Sequence, residues 1–277
     1  MTLESKVVLV TGGLRGIGLA ISQKLLSEDA TIALLGSQLD NQEQMLAQLE
    51  LDTPNVHYFP TDLRNEKSIF DSINAIYQQL GALDAIVHNA AVINLATSID
   101  VSNEQFNLMF DINAKSIWHI VKASFEYLNE SSIKQVIGIC PPINLDPNWL
   151  GCHLPYTSTR YLEGMLFSGM ASENPSLRIN TLWSKTTIQA PDTCNVINGT
   201  YEDTSKLHRT PEIMADAVAE LLNQNAFGQS GENFIDEEVL RSAGSSEFDE
   251  YNIEIERSEN EEDGSSDDAY AEKNFNV

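Results

Sequence analysis

Three glycine residues near the N terminus have a spacing that suits the binding of a phosphate group. Gly12, Gly16 and Gly18 lie in the segment TGGLRGIG, directly after four consecutive apolar residues at 7–10. A loop rich in glycine can turn sharply, and its backbone can approach a pyrophosphate closely. The helix predicted to begin near Gly16 would point its free N–H groups and the positive end of its dipole at the same place. The segment therefore indicates a dinucleotide-binding turn, and an ordinary strand-to-helix turn is the alternative.

Strand and helix patterns alternate along the rest of the chain, as in a doubly wound parallel α/β sheet, the Rossmann fold. The apolar runs predict seven strands, at residues 7–11, 31–35, 56–60, 85–88, 135–139, 177–182 and 232–235. Helical periodicity predicts helices from near Gly16, at 39–51, 65–80 and 103–128, from Tyr156 onward, and from Pro211 to about 223. Residues 185–209 lack clear periodicity and are interpreted as a lid. We expect a single domain over residues 1–252 and a disordered acidic tail over 253–277.

The composition argues against several classes of function. With 41 acidic and 16 basic residues, the net charge of −25 opposes nucleic acids and anionic membranes, so neither is an expected partner. No apolar run approaches the ~20 residues needed to span a membrane, and the N terminus lacks the pattern of a signal peptide. We therefore expect a cytoplasmic protein. No metal site is predicted, because no ligand-like spacing connects the cysteines and histidines considered, which are Cys140, Cys152, Cys194, His88, His119 and His153.

Several further motifs follow the glycine turn in a characteristic order. An acidic residue comes after the third predicted strand, the segment NAA after the fourth, an asparagine within the long helix, and the segment YTSTR before the sixth strand. In this order the motifs resemble those of the short-chain dehydrogenase/reductase family. The segments CPPINLDPNWLGCHLPYTSTRY and LRINTLWSKTTI are similar to the hydroxysteroid-dehydrogenase-like branch of that family. The residues that carry the resemblance are Gly12, Gly16, Gly18, Asp62, Asn89, Asn113, Tyr156 and Arg160.

The resemblance implies a role for four residues in a reaction between an alcohol and a carbonyl. Tyr156 would give or take the hydroxyl proton of the substrate. Arg160 stands in place of the family's lysine, which lowers the pKa of the tyrosine and holds the ribose of the cofactor. Asn113 would be mainly structural, at a distortion of its helix. Cys140 stands where the close branch has the serine that polarises the substrate, and a small buried residue is the alternative interpretation.

The catalytic positions also depart from the family pattern. An arginine keeps its charge and has no titratable proton to relay, and a thiol is a weaker hydrogen-bond donor than a hydroxyl. In addition, the branch's WPKT segment is WSKT here, which leaves Lys185 beside the expected nicotinamide site. Together these departures predict a weakened enzyme.

The same resemblance implies a set of residues that contact a nicotinamide dinucleotide. The cofactor choice depends on charge, because an acid after the second strand binds the ribose of NAD and would repel the phosphate of NADP. Here the segment reads GSQ, and Arg15 in the glycine turn could face that phosphate, so NADP is predicted, with NAD as the alternative. The predicted cofactor-binding residues are Gly12, Leu14, Arg15, Gly16, Ile17, Gly18, Ser37, Asp62, Leu63, Asn89, Ala90, Tyr156, Arg160, Lys185 and Thr187.

The predicted function is therefore an NADP(H)-dependent oxidoreductase that acts on a small or lipid-like alcohol or carbonyl. The departures at Cys140 and Arg160 leave a second hypothesis open, a dinucleotide-binding protein that has lost its activity and has a regulatory or scaffolding role. The family resemblance further implies a homodimer or homotetramer.

Overall fold

The fold is built on one parallel sheet with helices on both faces. The computed structural model describes residues 3–37, 54–151, 153–189, 208–223 and 229–253. The predicted helix at 39–51, most of the predicted lid, Cys152, Cys194 and all of the predicted tail beyond 253 lie outside these residues.

Seven strands form the central sheet in the order β3-β2-β1-β4-β5-β6-β9, and every neighbouring pair is parallel. The strands are β1 (Val7–Thr11), β2 (Thr31–Gly36), β3 (Val56–Pro60), β4 (Ala85–His88), β5 (Gln135–Ile139), β6 (Arg178–Trp183) and β9 (Asn233–Ile235). The predicted doubly wound parallel sheet is confirmed. The order reverses between β1 and β4, and ligands of such sheets bind beside this reversal, at the carboxyl ends of the strands.

The helices connect the strands in chain order. They are α1 (Gly16–Ser27), α2 (Glu66–Leu80), α3 (Asn103–Met109), α4 (Ser116–Glu130), α5 (Pro147–Gly151), α6 (Leu154–Glu173), α7 (Glu212–Asn223) and α8 (Asp236–Ser242). A π-helical turn, Phe110–Lys115, joins α3 to α4, and a 3₁₀ turn, Asp249–Tyr251, follows α8.

The alternation of side chains along the strands divides the core between the two faces of the sheet. In β1, Val7 and Leu9 pack into the cluster that contains Ile69 and Ile117, whereas Val8 and Val10 pack into the opposite cluster. All four residues are buried, because a parallel strand in the middle of a sheet is covered by helices on both faces. Burial on both faces of the sheet explains why the sequence of β1 is apolar at every one of these four positions.

Local hydrogen bonds fix the ends of several helices. The side chain of Asn65 accepts from the backbone of Ser68 at the start of α2, and Gly81 ends that helix with φ of 77°. Ser102 and Gln105 form a capping box at the start of α3. Helix α6 begins at Leu154, two residues before the predicted start at Tyr156, since a proline in the first turn needs no hydrogen-bond partner for its nitrogen.

A second, small sheet joins the chain on either side of α7. Its order is β10-β8-β7, in which β7 is Thr187–Ile188, β8 is His208–Arg209 and β10 is Asn252–Ile253. Strands β7 and β8 lie within residues 185–209, the segment that the sequence predicts to be an irregular lid. The prediction is wrong for these four residues, because a strand of two residues is too short to show periodicity. Within the described residues, no helix has the length and apolar character needed to cross a membrane.

The small sheet generates a prediction about the C-terminal residues. The backbone of Thr210 donates to Tyr251, and the Tyr251 hydroxyl donates to Asp216 over 2.7 Å. A chain that ends at residue 250 loses both bonds and β10, so we expect a loss of a few kcal/mol, with a fall of about 2–4 °C in Tm for each kcal/mol.

The matched control is a chain that ends at Ile253, which keeps β10 and removes only residues that are rich in charge and serine. Its Tm should stay close to that of the full chain, since such a composition buries little apolar area. Thermal unfolding followed by circular dichroism compares the three chains. Equal Tm values for the two truncated chains would contradict the assigned role of β10.

Candidate active site

The glycine turn between β1 and α1 has a backbone that only glycine adopts easily at two points. Gly12 and Gly16 have φ of 65° and 50°, in the left-handed region. A Cβ atom on Gly18 would lie 2.2 Å from the carbonyl oxygen of Gly12, so the first turn of α1 packs directly on the loop. No acidic residue occupies the first turn of α1. The backbone N–H groups in the first turn of α1 therefore have no acidic side chain of that turn beside them, and the N terminus of the helix suits the binding of an anion.

The ends of β1 and β4 are joined beside this turn. The hydroxyl of Thr11 accepts from the backbone N–H groups of Asn89 and Ala90, each over 3.0 Å. The side-chain amide of Asn89 donates to the Gly12 carbonyl over 3.2 Å. These bonds fix Asn89 and Ala90 against the glycine turn, and their contact with a cofactor stays a prediction.

The remaining residues of the turn have different surroundings. Leu14 is buried in the core, and Ile17 is half-buried and packs against the same cluster, so these two side chains anchor the turn. Arg15 is exposed and directly precedes α1.

Ser37 and Asp62 follow β2 and β3, which are neighbours in the sheet. The hydroxyl of Tyr58 donates to the Ser37 carbonyl. Asp62 forms a two-point contact with Arg64, with distances of 2.8 and 2.9 Å, and this hydrogen-bonded cation lowers the pKa of the carboxyl group. Asp62 is therefore ionised at neutral pH. The adjacent Leu63 side chain is buried in the core.

Asn113 lies in the π-helical turn and is fully buried. Its side chain both accepts from the Val92 nitrogen over 2.7 Å and donates to the Val92 oxygen over 2.9 Å. It also donates to the Thr159 hydroxyl over 3.0 Å. The distortion thus lets one amide connect the segment after β4 to helix α6. The sequence-based expectation is one long helix over 103–128 with a distortion at Asn113, and the π turn is that distortion.

Tyr156 lies in the first turn of α6 and is half-buried. Burial raises the pKa of its phenol, the nearby Arg160 lowers the pKa, and Glu163 raises it. The net direction is upward from the ordinary value, so the hydroxyl stays protonated at neutral pH. This direction is opposite to the one that the family resemblance implies for a tyrosine base.

Arg160 lies one helical turn after Tyr156, but its guanidinium is engaged in the interior. The Nη1 atom is 2.8 Å from Oε2 of Glu163, and Nη2 donates to the Ile139 carbonyl. The predicted contact of Arg160 with a cofactor ribose remains a prediction. Glu163 also contacts His88 Nδ1 over 2.9 Å, and His88 Nε2 contacts the Ser116 hydroxyl over 2.9 Å.

Cys140 directly follows β5 and is fully enclosed by the core, where it packs in the same cluster as Phe167. Burial raises the pKa of its thiol well above the ordinary value, Glu163 raises it further, and Arg160 lowers it. The thiol is therefore neutral at physiological pH. Its enclosure fits the alternative interpretation, a small buried residue.

Lys185 and Thr187 lie after β6 at the same edge of the sheet. The backbone nitrogen of Lys185 donates to Asp236 over 2.9 Å, and its Nζ atom is 2.7 Å from Glu237. Arg209 and Arg241 also pair with Glu237, at 2.8 and 2.9 Å. Burial raises the pKa of the Glu237 carboxyl group. Hydrogen bonds from the three cations lower this pKa by more than burial raises it, so the net pKa is about 2. Thr187 is half-buried in β7.

The sheet therefore brings most of the predicted site residues to one edge. The glycine turn, Asn89, Ser37 and Asp62 follow the carboxyl ends of four neighbouring strands. The four predicted catalytic residues lie around the first turns of α6 and the end of β5, the next strand in the sheet. Within the described ranges, no group of three or more histidine, cysteine or acidic residues could hold a metal ion.

Comparison with known proteins gives the context of this geometry. The family model described as short chain dehydrogenase matches residues 6–182. The chain belongs to the short-chain dehydrogenase family. This match confirms the resemblance found in the motifs.

Individual members of the family agree with this assignment. Hydroxysteroid dehydrogenase-like protein 2 from Danio rerio is 31% identical over 260 residues, which cover 91% of this chain and 62% of that relative. The chain thus spans about three fifths of the length of this curated relative. A short chain dehydrogenase from Mycobacterium thermoresistibile has a TM-score of 0.80 at 26% identity, over 91% of both chains. One from Burkholderia cenocepacia J2315, crystallised in complex with NADP, has a TM-score of 0.72 at 15% identity, over 85% of this chain and 97% of that one.

Two residues of the site were not singled out from the sequence as functional. Glu163 lies three residues after Arg160 on the same helix, a spacing that brings opposite charges together and could have indicated the pair. In the sequence analysis, His88 is considered only as a possible metal ligand and is assigned no other role. Its partner Glu163 is 75 residues away along the chain, so no local pattern connects them.

The packing of α1 on the glycine turn generates a prediction. In Gly18→Ala the added Cβ would overlap the Gly12 carbonyl, so the turn or the helix must shift. We expect a loss of about 1–3 kcal/mol in the free energy of unfolding and weaker binding of NADPH. Urea unfolding and fluorescence titration measure these two effects.

Gly169→Ala is the matched control, because nothing lies within 4 Å of the new Cβ on the exposed face of α6. It should leave NADPH binding unchanged and stabilise the helix by about 0.5–1 kcal/mol. NADPH binding by Gly18→Ala as tight as that of the control would contradict the assigned cofactor turn.

Proposed function

We propose that this protein is an NADP(H)-dependent oxidoreductase that interconverts an alcohol and a carbonyl. The observation that carries the proposal is the position of Tyr156. Tyr156 lies in the first turn of α6, the helix that follows β5, and β5 ends at the same carboxyl edge of the parallel sheet as β1, which carries the glycine turn. In the proposed arrangement, a proton-transfer group and a cofactor turn thus lie at one edge of the same sheet, after two strands that are separated by β4.

The residues at the glycine turn fit a nicotinamide dinucleotide. Gly12 and Gly16 adopt the backbone of a phosphate-binding loop, and α1 begins with free N–H groups. Asn89 and Ala90 line the next strand end, and Asp62 lies beyond Ser37 on the side where the adenine would bind. The cofactor supplies or accepts the hydride when bound. The chain's own residues bind it, orient it and handle the proton.

The protonation of Tyr156 at neutral pH fits a role as the proton donor when a carbonyl is reduced. Its raised pKa means that the phenol carries its proton and can donate to an oxygen that gains negative charge. Oxidation of an alcohol would require the phenolate, whose fraction grows only as the pH rises toward that raised pKa. The rate of oxidation should therefore increase with pH over the range in which the protein stays folded. We propose small or lipid-like carbonyl compounds as substrates.

The choice of NADP over NAD is supported by charge. Ser37, at the end of β2, presents no carboxylate to a cofactor phosphate, and its carbonyl is occupied by Tyr58. Arg15 is exposed at the start of α1 and adds a positive charge near the turn. The Burkholderia cenocepacia protein with the same fold was crystallised in complex with NADP.

Two observations favour the second candidate, a dinucleotide-binding protein without turnover. Arg160 is paired with Glu163, and Cys140 is enclosed by the core, so neither side chain is exposed to a substrate in the described structure. The two candidate functions predict different results when NADPH binding and NADPH oxidation are both measured. NADPH binding without oxidation over a panel of aldehydes, ketones and enoyl compounds would select the second.

We further propose that the protein is a homodimer or homotetramer. Helices α4 and α6 present large apolar side chains to solvent, among them Trp118, 48% exposed, and Met165, 59% exposed. Between the two helices lies a groove of about 290 Å³ whose lining includes Trp118, Phe125 and Met170. Apolar surface of this kind suits an interface between copies of one chain.

The cofactor proposal predicts a preference that depends on Arg15. NADPH should bind several-fold more tightly than NADH, and Arg15→Ala should remove the difference, because it removes the positive charge near the 2′-phosphate. Lys67→Ala, an exposed cation on α2 that pairs with Asp71, is the control and should keep the preference. Fluorescence titration with both cofactors decides. Equal affinities in the unmodified protein would remove the argument for NADP.

The catalytic proposal predicts that Tyr156→Phe lowers turnover by about 10²–10⁴-fold and leaves NADPH affinity nearly unchanged, since only the proton donor is removed. Tyr127→Phe is the control, because that hydroxyl bonds to Asn74 on the surface of α2 and α4. The rate of NADPH oxidation with a reactive carbonyl is the measurement. Unchanged turnover in Tyr156→Phe would show that another group donates the proton.

A further inference from the structure

A chain of polar contacts lies in the interior beside Tyr156, and we call Arg160, Glu163, His88 and Ser116 the interior cluster. The side chains of the two paired ions are 5% and 0% exposed, and those of His88 and Ser116 are fully buried. The cluster connects three elements, because His88 ends β4, Ser116 begins α4 and the other two residues lie on α6. Such a group costs several kcal/mol in lost hydration unless its members satisfy one another.

The arrangement of Ser116, His88 and Glu163 has the order of contacts of a serine nucleophile, a base and an acid. Access rules out that use, because Ser116 is fully buried and its hydroxyl donates to the Ile112 carbonyl over 2.7 Å. A substrate cannot reach this oxygen. The residue of the candidate site that lies nearest along α6 is Tyr156, four residues before Arg160 and seven before Glu163.

Two contacts hold the Arg160 guanidinium in the interior. The guanidinium pairs with Glu163 and donates to the Ile139 carbonyl at the end of β5. Glu163 is itself fixed from the opposite side by His88, at 2.9 Å. The position of the cation at residue 160 thus depends on the carboxylate at residue 163.

We propose that Glu163 is a positioning residue of the site, which holds Arg160 against the end of β5 and opposes the electrostatic effect of that cation on Tyr156. As a result Tyr156 stays a proton donor. The inference rests on the proposed function in one respect, namely that Tyr156 is the group that transfers the proton.

The electrostatic influences on Tyr156 agree with this role. Burial is the largest influence and raises the pKa of the phenol, Arg160 lowers it, and Glu163 raises it. Removal of the Glu163 charge should therefore let the cation act unopposed, and the pKa of Tyr156 should fall.

Other ionisable groups lie on α6's neighbouring elements and loops, and none of them is changed in the experiment. Cys140 is a neutral thiol at neutral pH because burial raises its pKa, and Asp111 pairs with Lys115 over 3.2 Å in the π turn. The others are His88 in β4, Glu104 in α3, Asp146 before α5, His153 before α6 and Arg178 in β6.

The test is a titration of the Tyr156 phenol in the full-length protein, which needs neither substrate nor cofactor. Tyrosine labelled with ¹³C at Cζ reports the ionisation of each phenol by NMR, and the Tyr156→Phe spectrum assigns the resonance. In Glu163→Gln the shape and a hydrogen-bonding oxygen are kept while the charge is lost. We expect the pKa of Tyr156 to fall by about one pH unit or more. Glu173→Gln, an exposed carboxylate at the end of the same helix, should leave it unchanged.

An unchanged titration in folded Glu163→Gln would overturn the proposal. Should that variant fail to fold, Arg160→Met/Glu163→Met removes both charges together, a change that buried ion pairs often tolerate. Its Tyr156 should titrate within roughly half a pH unit of the unmodified protein if the two charges oppose each other. A rise of more than about one pH unit would show that Arg160 acts unopposed, and would also overturn the proposal. Loss of turnover alone, with the predicted titrations intact, would count against the proposed function and leave the role of Glu163 standing.

Discussion

The buried ion pair between Arg160 and Glu163 constrains the whole neighbourhood of Tyr156. An ionised side chain that is buried away from solvent needs a partner of opposite charge, so Arg160 and Glu163 fix each other's position. The carbonyl at the end of β5 and the imidazole at the end of β4 complete their surroundings. The ion pair thus connects the central strands to the helix that carries the phenol. As a result, the contacts of the Arg160 guanidinium are with interior groups, although the residue lies one helical turn after Tyr156.

The two ends of the site differ in how far they follow the family pattern. At the end proposed to bind the cofactor, Gly12 and Gly16 have left-handed backbone angles, Thr11 bonds to Asn89 and Ala90, and no acidic residue occupies the first turn of α1. At the proton-transfer end, the cation is an arginine tied to a carboxylate, and Cys140 is enclosed by the core. Both parts of the candidate site lie at the carboxyl edge of the same sheet. They differ in chemistry, since the departures from the family pattern surround Tyr156 and affect the pKa of its phenol.

Much of the fold could be predicted from the sequence, because long apolar runs and helical periodicity report directly on burial. The bounds of β1, β3, β4 and β5 match the prediction, and the glycine spacing locates the turn before α1. The two-residue strands of the small sheet could not be predicted, since their pairing depends on partners that are distant in the chain. The same limit applies to His88 and Glu163, which meet only after β4 and α6 pack together. Sequence patterns report the burial of a residue more directly than they report its partner.

A double-mutant cycle on the free energy of unfolding tests the central claim most directly, that Arg160 and Glu163 depend on each other. Urea unfolding would be measured for the unmodified protein, Arg160→Met, Glu163→Met and the double variant. Glu163→Met leaves the buried guanidinium without a carboxylate, and Arg160→Met leaves the buried carboxylate with His88 alone, so each should cost about 3–5 kcal/mol, and the double variant should lose less than either. Additive losses in the double variant would contradict the account, because they would show that the two side chains do not stabilise each other.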